Sequence, residues 1–476
     1  MPDLPVLDGD KALRFQNFNS LALKALQAGA PGEAVKHLEE ALSITDKDWA
    51  VVGNLGDALA RCGRLDDAEA AFRRSIELNP RYDQAHYNLG VVLMQREDYE
   101  AAYASYLDAL SIRRNATTLN NAGNMATYTL RLKEAEAHYR AAVKFGYLNA
   151  RWNLSLALMM QGRWGEAWDL YHFRPQMDSY REHPLLWRGE SVDGKRLVVI
   201  SEQGLGDTVY AMRFIPILRR MGVHVVFACE SVMMRLAKAA YPEEEHLPAV
   251  EIVDKAKGYQ GHADYVVLAM SLPGYLTPKG MGPNAPYLTA PAATRNPECF
   301  TVGLCWNGST VTGPPAERNI PLKMLEPLSR VPGVKLVSLQ KGEAAAEMAD
   351  CGFEVADAMS ACRDVYDTAC VIASLDLVVT VDTLIPHLAG ALGKPVWLMN
   401  RWMSCWQWGT PDMPDKRCFA FDPHLYTTLS QFRQPARGEW APVVESVAFG
   451  LRNVARSMGF VADDSLAADF GKRGVE

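Results

Sequence analysis

Two different spacings of apolar residues divide the chain. Over the first third, apolar residues recur every three or four positions, as in an amphipathic helix, and the whole pattern repeats along the sequence. Small residues that allow paired helices to approach recur at a step of 34 residues, as Ala34, Ala68 and Ala102. The next two units shorten to 33 and 32 residues. This spacing predicts five helix pairs between about residue 16 and residue 175.

One unit shows how the repeat is built. Residues 54–80 form two amphipathic segments joined around Gly63 and closed by Pro80, with Phe72 expected to fill the gap between the two helices. The pattern resembles the tetratricopeptide repeat and predicts an α-solenoid with an extended concave face. That face is expected to dock a polypeptide, and a spacer or dimerisation arm is the alternative for residues 1–175.

A different pattern begins after a connecting segment at residues 176–194. A buried strand at Arg196–Ile200 leads through a Gly-rich turn into a helix from Thr208 to Met221 and then into the strand Val223–Ala228. Strand, turn, helix and strand make one βαβ unit. We therefore expect a first Rossmann-like half over residues 195–295.

A second half is predicted over residues 296–459. Four apolar runs, TVGLCW, VKLVSL, LDLVVTV and PVWLM, each end in small, polar or capping residues. Such strands form a doubly wound parallel sheet whose carboxyl ends share one rim. Two halves in tandem predict a cleft between them. A helix at about residues 440–458 is a candidate to return to the first half, and residues 460–476 are expected to form a flexible tail.

The most informative corner follows the strand Leu377–Val381. Asp382 and Thr383 stand where a helix begins, and His387 falls one turn later. Backbone N–H groups and the positive end of the helix dipole at such a corner suit an anion such as a diphosphate. A carboxylate beside a diphosphate is unfavourable, so Asp382 is expected to cap backbone N–H groups or to hold a ribose hydroxyl. His387 either contacts the phosphate, orients Asp382 or makes a structural contact.

The Gly-rich turn of the first half carries a second candidate. Gly204 and Gly206 let the backbone approach a ligand closely, and Asp207 stands at the start of the next helix. A carboxylate placed there can take a proton from an acceptor hydroxyl. The alternative is that Asp207 is only a helix cap.

Further candidates lie after the remaining strands. The N–H groups of Trp306-Asn307-Gly308 are expected to accept a phosphate with help from Arg318, and Lys341, after Gln340, can reach a nucleotide as a point charge. A surface loop and a solvated lysine are the alternatives. Three tryptophans in a later loop either stack on a sugar or seal the seam between the halves: Trp402, Trp406 and Trp408.

Composition narrows the function classes. The net charge of −7 disfavours non-specific nucleic-acid binding. Nine cysteines form no CxxC pair, which indicates reduced core thiols, and neither HExxH nor a Cys/His cluster suggests a metal site. There is no signal-peptide pattern and no apolar run long enough for a membrane helix, so we expect a cytoplasmic protein.

Together these motifs carry a family resemblance. The segments SEQGLGDTVYAMRFIP, VGLCWNG, RNIPL, SLQKG and DTACVIASLDLVVTVDTLIPHLAGALGKPVW resemble the C-terminal domain of bacterial tetratricopeptide-repeat glycosyltransferases. That domain is similar to the ADP-heptose lipopolysaccharide heptosyltransferases, which are glycosyltransferase family 9-like GT-B proteins. The resemblance covers roughly residues 186–455. Two stretches depart from it: STVTGPPAE lacks the expected basic and His-containing residues, and WMSCWQWGTPDMP lacks the usual Trp-Tyr-Pro ending.

The resemblance implies an inverting, metal-independent transferase that uses a nucleoside-diphosphate sugar and no further cofactor. Asp207 would be the base, and Asp382, Thr383 and His387 would face the diphosphate. The expected acceptor is a hydroxyl on a protein recruited by the repeats. A lipopolysaccharide or other glycan acceptor is an alternative, and so is a catalytically inactive scaffold.

Overall fold

The computed structural model describes residues 8–294, 298–308, 318–409, 419–421 and 425–460. The chain forms two compact units, Met1–Gln161 and Gly162–Glu476. Each unit is described separately below. The predicted tail at residues 460–476 lies, except for Phe460, outside the described residues.

The first unit is a helical solenoid, as the repeat predicts. Its described part contains nine α-helices: α1 (Gly9–Gln27), α2 (Pro31–Ile44), α3 (Trp49–Arg61), α4 (Leu65–Leu78), α5 (Asp83–Gln95), α6 (Tyr99–Ile112), α7 (Ala116–Tyr128), α8 (Leu132–Lys144) and α9 (Ala150–Met160). Consecutive helices pack in pairs, α1 with α2 through α7 with α8, and each pair packs on the next. Such nearest-neighbour stacking buries one continuous core.

A glycine facing an aromatic ring sets the spacing within each pair. A Cβ atom on the glycine would lie 2.6–2.8 Å from the ring, so only glycine fits there. The same contact recurs in three successive repeats, as Gly56–Phe72, Gly90–Tyr106 and Gly123–Tyr139. This confirms the prediction that Phe72 fills the gap between paired helices.

The compact solenoid ends earlier than the predicted limit at residue 175. Helix α10 (Trp164–Tyr171) belongs to the second unit. There Trp168 packs on Gly274, and its indole Nε1 donates a hydrogen bond to the Gly280 carbonyl at 3.2 Å. The sequence pattern of a repeat helix persists through α10, but its aromatic residues pack with the α/β elements.

A four-stranded parallel sheet opens the α/β part. Its strands are β1 (Arg196–Ile200), β2 (His224–Cys229), β3 (Glu251–Asp254) and β4 (Tyr265–Leu268), in the order β3-β2-β1-β4. Its helices are α11 (Leu205–Met212), α12 (Ile215–Arg220), α13 (Met234–Ala240) and α14 (Leu272–Leu276). Because β1 pairs with β2 on one side and β4 on the other, the chain leaving β1 enters a crevice at the sheet's carboxyl edge.

The predicted helix Thr208–Met221 is two helices in the structure. Pro216 has no N–H and cannot bond to the carbonyl of Met212. That carbonyl instead accepts a hydrogen bond from the Tyr241 hydroxyl at 2.8 Å. Helix α11 therefore stops at Met212 and α12 restarts at Ile215.

The second sheet has seven strands in the order β10-β11-β9-β8-β5-β6-β7. They are β5 (Phe300–Cys305), β6 (Val334–Ser338), β7 (Ala356–Asp357), β8 (Leu377–Thr380), β9 (Val396–Asn400), β10 (Phe419–Phe421) and β11 (Leu429–Arg433). All neighbours are parallel except β10, which is antiparallel to β11. Its helices are α15 (Glu326–Ser329), α16 (Val365–Ala373), α17 (Leu384–Ala391) and α18 (Ala441–Ser457).

The prediction that the last helix returns to the first half is wrong. The apolar face of α18, with Val443, Val447 and Leu451, joins the core of the second sheet. Gly450 lets this helix approach the Trp397 ring of β9. Amphipathicity predicts that α18 buries one face, but not which sheet receives it. None of the helices in the described part of the chain combines the length and apolarity that a membrane crossing requires.

Candidate functional site

Two strand-to-helix corners, one from each sheet, meet directly. Helix α11 begins after Gly204, which follows β1, and α17 begins after Thr383, which follows β8. A Cβ atom on Gly206 would lie 2.8 Å from Cδ2 of His387 and 3.4 Å from the Thr383 carbonyl oxygen. The missing side chain at position 206 thus allows the two corners to touch. We call this place the α11–α17 junction.

Asp207 lies in the first turn of α11, half-buried at the junction. Its Oδ2 accepts a hydrogen bond from the Gly204 N–H at 3.0 Å, and its Oδ1 accepts one from Nε2 of Gln407 at 3.0 Å. Burial raises the pKa of this carboxyl to about 6, the two hydrogen bonds oppose the rise, and nearby Asp382 adds to it. Asp207 therefore stabilises the helix start and also has the proton affinity of a general base that operates near neutral pH.

Asp382 and Thr383 have different roles at the second corner: Thr383 caps the helix, and Asp382 does not. Thr383 is the N-cap of α17, and its Oγ1 accepts a hydrogen bond from the Ile385 N–H at 3.1 Å. Asp382 instead accepts a hydrogen bond from the indole Nε1 of Trp408 at 2.7 Å. The expectation that Asp382 caps the helix is wrong, because Thr383 stands one residue closer to its first turn.

His387 is buried, at 3% exposure, and neutral. Its Nδ1 lies 3.1 Å from the Tyr426 hydroxyl, and its ring lies on Trp408 with the centroids 4.6 Å apart. Burial lowers the pKa of the imidazole to about 3, and the charge of Arg213 lowers it further. Asp382 is held by Trp408, so the expectation that His387 orients that carboxylate finds no bond in the described structure.

A buried cation lies behind His387. Arg213 is 2% exposed and its Nη1 donates to two carbonyls, that of Pro283 at 2.7 Å and that of Leu425 at 3.0 Å. Its guanidinium also lies 4.6–5.1 Å from the centroids of three rings, those of Tyr210, Tyr287 and Tyr426. Carbonyl dipoles and π faces stabilise a charge that would otherwise be costly to bury. Arg213 thus joins α11 of the first half to the segment before β11 of the second.

Gln340 has a structural task instead of the predicted nucleotide contact. Its Oε1 accepts hydrogen bonds from the N–H groups of Trp306 at 3.2 Å and Asn307 at 2.9 Å. Its Nε2 donates to the carbonyls of Asn307 at 3.2 Å and Lys341 at 3.0 Å. The buried amide is therefore used to fix the loop after β5, and the N–H groups expected to hold a phosphate are occupied.

Three more predicted contacts are satisfied inside the protein. Trp306 is fully buried and its Nε1 donates to Glu347; the Gly308 N–H donates to Asn319 at 2.9 Å; and Lys341 Nζ donates to the Cys362 carbonyl at 2.6 Å. Local sequence could not show these partners, because each comes from a different loop. The loop STVTGPPAE, whose composition departs from the resemblance, lies outside the described residues.

Arg318 remains close to the junction. Its guanidinium packs on Gly308, where a Cβ atom would lie 2.7 Å from Nε. Burial lowers the pKa of the guanidinium, and the nearby carboxylate of Asp382 partly opposes this shift. Arg318 is thus a cation on the Asp382 side of the junction.

A short turn at residues 406–408 contributes Gln407, a residue that the sequence did not assign to the site. Gln407 and Trp408 supply the hydrogen bonds to Asp207 and Asp382. Trp406 packs, at centroid distances of 5.6–6.1 Å, among four rings: Trp164, Trp168, Tyr171 and Tyr210. Of the two expectations for these tryptophans, sealing the seam describes Trp406 and Trp408. In the sequence, the alternation of aromatic and amide residues in WQW was the signal that could have indicated the role of this turn.

The solenoid has a separate polar recess of about 330 Å³. It lies between α3 and α5, over Phe72 of α4, and is lined by Gly53, Asn54, Asp57, Arg61, Tyr82, Gln84 and Asn88. Carboxamides and one Asp–Arg pair offer both donors and acceptors to a polypeptide backbone. In the described residues no group of three or more His, Cys, Asp or Glu side chains is arranged to hold a metal ion.

Comparisons with known proteins identify the repeats. Residues 25–75 and 54–117 match two family profiles described as tetratricopeptide repeat. Over 479 aligned residues the chain is 26% identical to Protein FlbA of Caulobacter vibrioides, covering 92% of this chain and 73% of FlbA. It is also 30% identical over 99 residues to Superkiller protein 3 of Schizosaccharomyces pombe, covering 20% of this chain and 7% of that protein.

Solved structures match over the solenoid-sized part of the chain. A MamA fragment from Desulfovibrio magneticus RS-1 has a TM-score of 0.33 and 18% identity, covering 36% of this chain and 97% of the fragment. YrrB, a TPR protein with an unusual peptide-binding site, has a TM-score of 0.29 and 21% identity, covering 30% of this chain and 75% of that structure.

Proposed function

We propose that the protein transfers a sugar from a nucleoside-diphosphate sugar to a hydroxyl of a polypeptide bound by the repeat array. The observation that carries this proposal is the α11–α17 junction. It places a carboxyl of pKa about 6, Asp207, beside the N-terminus of a helix from the other half. A base and an anion-binding helix end are the two parts that glycosyl transfer from a diphosphate needs.

The donor diphosphate would lie at the start of α17. The positive end of the helix dipole there favours an anion, and Arg318 adds a positive charge on the same side. Asp382 would repel the diphosphate if it faced it. Its hydrogen bond to Trp408 holds Oδ1 away from that role. The proposed donor contacts are therefore the α17 N-terminus and Arg318, with the predicted contacts of Gln340 and Lys341 removed.

The reaction would proceed in one displacement. The Asp207 carboxylate takes the proton of the acceptor hydroxyl while the acceptor oxygen forms a bond to the anomeric carbon. The bond from that carbon to the diphosphate oxygen breaks, and the nucleoside diphosphate leaves. Attack opposite the leaving group inverts the anomeric configuration. At pH 7 and above a carboxyl of pKa about 6 is mostly ionised and ready to accept the proton.

A second candidate function is a protein-binding scaffold without transfer. It is favoured by the solenoid and by one observation at the junction: both oxygens of Asp207 already accept hydrogen bonds from the protein. If the α/β unit binds no sugar nucleotide, protein binding by the repeats is the function of the molecule.

Calorimetry against UDP-, GDP-, ADP- and CMP-sugars separates the two candidates. The transferase proposal expects one donor class to bind, and expects Asp207→Asn to bind it while losing donor hydrolysis and transfer. Asp254→Asn removes a capping carboxylate from the end of β3 and is the matched control, expected to keep activity. If no sugar nucleotide binds, the transferase proposal is abandoned for the scaffold.

The acceptor arm is tested on the array. Replacing Asn54 and Asn88 in the polar recess by alanine is expected to reduce modification of a protein acceptor at least tenfold while the donor affinity stays unchanged. Equal modification by the double variant would remove this recess from acceptor recruitment.

A further inference from the structure

Three consecutive side chains of one turn contact three separate elements. The 3₁₀ turn Trp406–Trp408 places Trp406 among rings of α10 and α11, Gln407 on Asp207, and Trp408 on Asp382. A 3₁₀ helix has about three residues per turn, so successive side chains point roughly 120° apart. This geometry lets a three-residue segment hold both carboxylates of the junction at once.

The turn is itself firmly held. The Trp408 N–H donates to the Cys405 carbonyl at 3.2 Å, and Gly409 ends the turn with φ +70°, a left-handed conformation that glycine adopts without strain. The Trp408 carbonyl accepts hydrogen bonds from Gln431 at 2.6 Å and from Arg433 at 3.1 Å. Gln407 is therefore presented from a fixed backbone, and its amide reaches Asp207 across the seam between the halves.

We propose that Gln407 is a positioning residue for Asp207. Its amide fixes the orientation of the carboxylate and keeps it ionised, and Trp408 in the same turn sets where Asp382 lies relative to it. The role in transfer rests on the proposed function, but the hold on the carboxylate does not. Gln407 suits this task because its amide donates a hydrogen bond and carries no charge of its own.

The groups around Asp207 determine how strongly the hydrogen bond from Gln407 affects its pKa. Burial raises the pKa of Asp207, and so do Asp382 from the second half and Glu202, which follows β1. Tyr171 of α10, Tyr210 of α11 and Cys405 before the turn are un-ionised near neutral pH, since burial raises the pKa of each, and buried His387 of α17 is neutral. The hydrogen bonds from Gly204 and Gln407 oppose this rise. Without Gln407 the carboxyl will hold its proton to higher pH.

The test is a double-mutant cycle on the ligand-free, full-length protein. Folding raises the pKa of Asp207, so its contribution to stability is present below its unfolded pKa and is lost as pH rises through about 6. In Gln407→Met, a variant of similar volume without the donor, this loss is expected to begin at the same pH but to continue to about one pH unit higher. In the Asp207→Asn background the same change should leave the pH dependence unaltered. Equal pH dependence of the wild type and Gln407→Met would overturn the proposal.

Two further variants control for general loosening of the protein and for a failure of Gln407→Met to fold. Gln434→Met removes another buried amide nearby, one that accepts hydrogen bonds from the Trp402 and Gly438 N–H groups, and it should not shift the pH dependence. Gln407→Asn keeps an amide on a shorter side chain and is the variant to use if Gln407→Met does not fold; it should shift the curve in the same direction. A shift with Gln434→Met as large as with Gln407→Met would mean general loosening and would contradict the positioning role.

A kinetic arm separates this inference from the proposed function. If transfer is observed, the acidic limb of the pH profile of kcat/KM should move up by the same pH increment in Gln407→Met, with the donor Kd unchanged. If no donor binds, the transferase proposal fails, while the unfolding cycle still decides the role of Gln407. If transfer is observed but neither pH curve moves, Gln407 is not a positioning residue and the transferase proposal stands.

Discussion

The repeat array and the α11–α17 junction both use glycine to bring elements together, but in opposite ways. In the array a glycine meets an aromatic ring three times in successive repeats. At the junction Gly206 meets His387 once, between two sheets. A contact made in every unit can be lost locally because its neighbours repeat it. A contact made once has no neighbouring copy to compensate for its loss, so the two regions should respond differently to the same kind of damage.

The largest effect is expected from removing a unique core side chain. Trp306→Ala empties a fully buried site in the core of the second sheet and should destabilise the α/β unit by about 4 kcal/mol. Denaturant unfolding followed by near-ultraviolet circular dichroism measures this loss. The partly exposed Trp402 is the control, and Trp402→Ala should cost much less. Equal costs would show that burial in this core does not govern stability.

Loss of one of the repeated glycine–ring contacts in the array should destabilise only the neighbouring helices. Phe72→Ala removes the ring that faces Gly56, at a cost of about 3 kcal/mol. Because repeats interact mainly with their neighbours, hydrogen exchange should speed up in α3–α5 while the α/β strands keep their protection. Phe145→Ala, at a residue 53% exposed, should change neither. Loss of protection in β5 or β8 would contradict this separation between the regions.

The junction should also show a pH-dependent cost that the array contacts lack. Above pH 6 the folded protein holds Asp207 ionised in a poorly solvated place, so Asp207→Asn should stabilise it by about 2 kcal/mol at pH 8. Below about pH 3 the carboxyl is protonated in both folded and unfolded chains, and that gain should vanish. Chemical denaturation at several pH values measures the difference. A gain of the same size at pH 3 would mean that charge is not its cause.

The smallest effect is expected at the cap of α17. Thr383→Ala removes the acceptor for the Ile385 N–H and should cost about 1 kcal/mol. Thr383→Ser keeps a hydroxyl at the same position and should restore most of the loss. Thermal unfolding of both variants makes the comparison, and an equally destabilised serine variant would argue against capping.

Redundancy also explains what the sequence could predict. The array was readable because its small residues and aromatics recur at a constant step, so each unit supports the reading of the next. The strand ends were readable because Asp382-Thr383 and Gly204–Asp207 stand directly between an apolar run and a helix. In these places the information lies within a few residues.

The missed features depend on residues distant in sequence. Gln340 looked available for a ligand because the backbone it bonds to, at Trp306 and Asn307, comes from another loop. Gln407 went unassigned because its partner Asp207 lies 200 positions away. Helix α18 was assigned to the wrong half because its pattern shows an apolar face without naming the sheet that covers it. Local pattern has no access to such pairings.

Arg213 has a mechanical consequence. If the two halves moved apart about a hinge, the guanidinium would lose the Leu425 carbonyl and the Tyr426 ring, its partners from the second half. The buried charge would then be less well stabilised. That cost makes a wide swing of one half against the other an unfavourable route for ligand exchange. Any ligand exchange at the α11–α17 junction is therefore expected to depend on small rearrangements of the surrounding loops, while the two sheets keep their mutual placement.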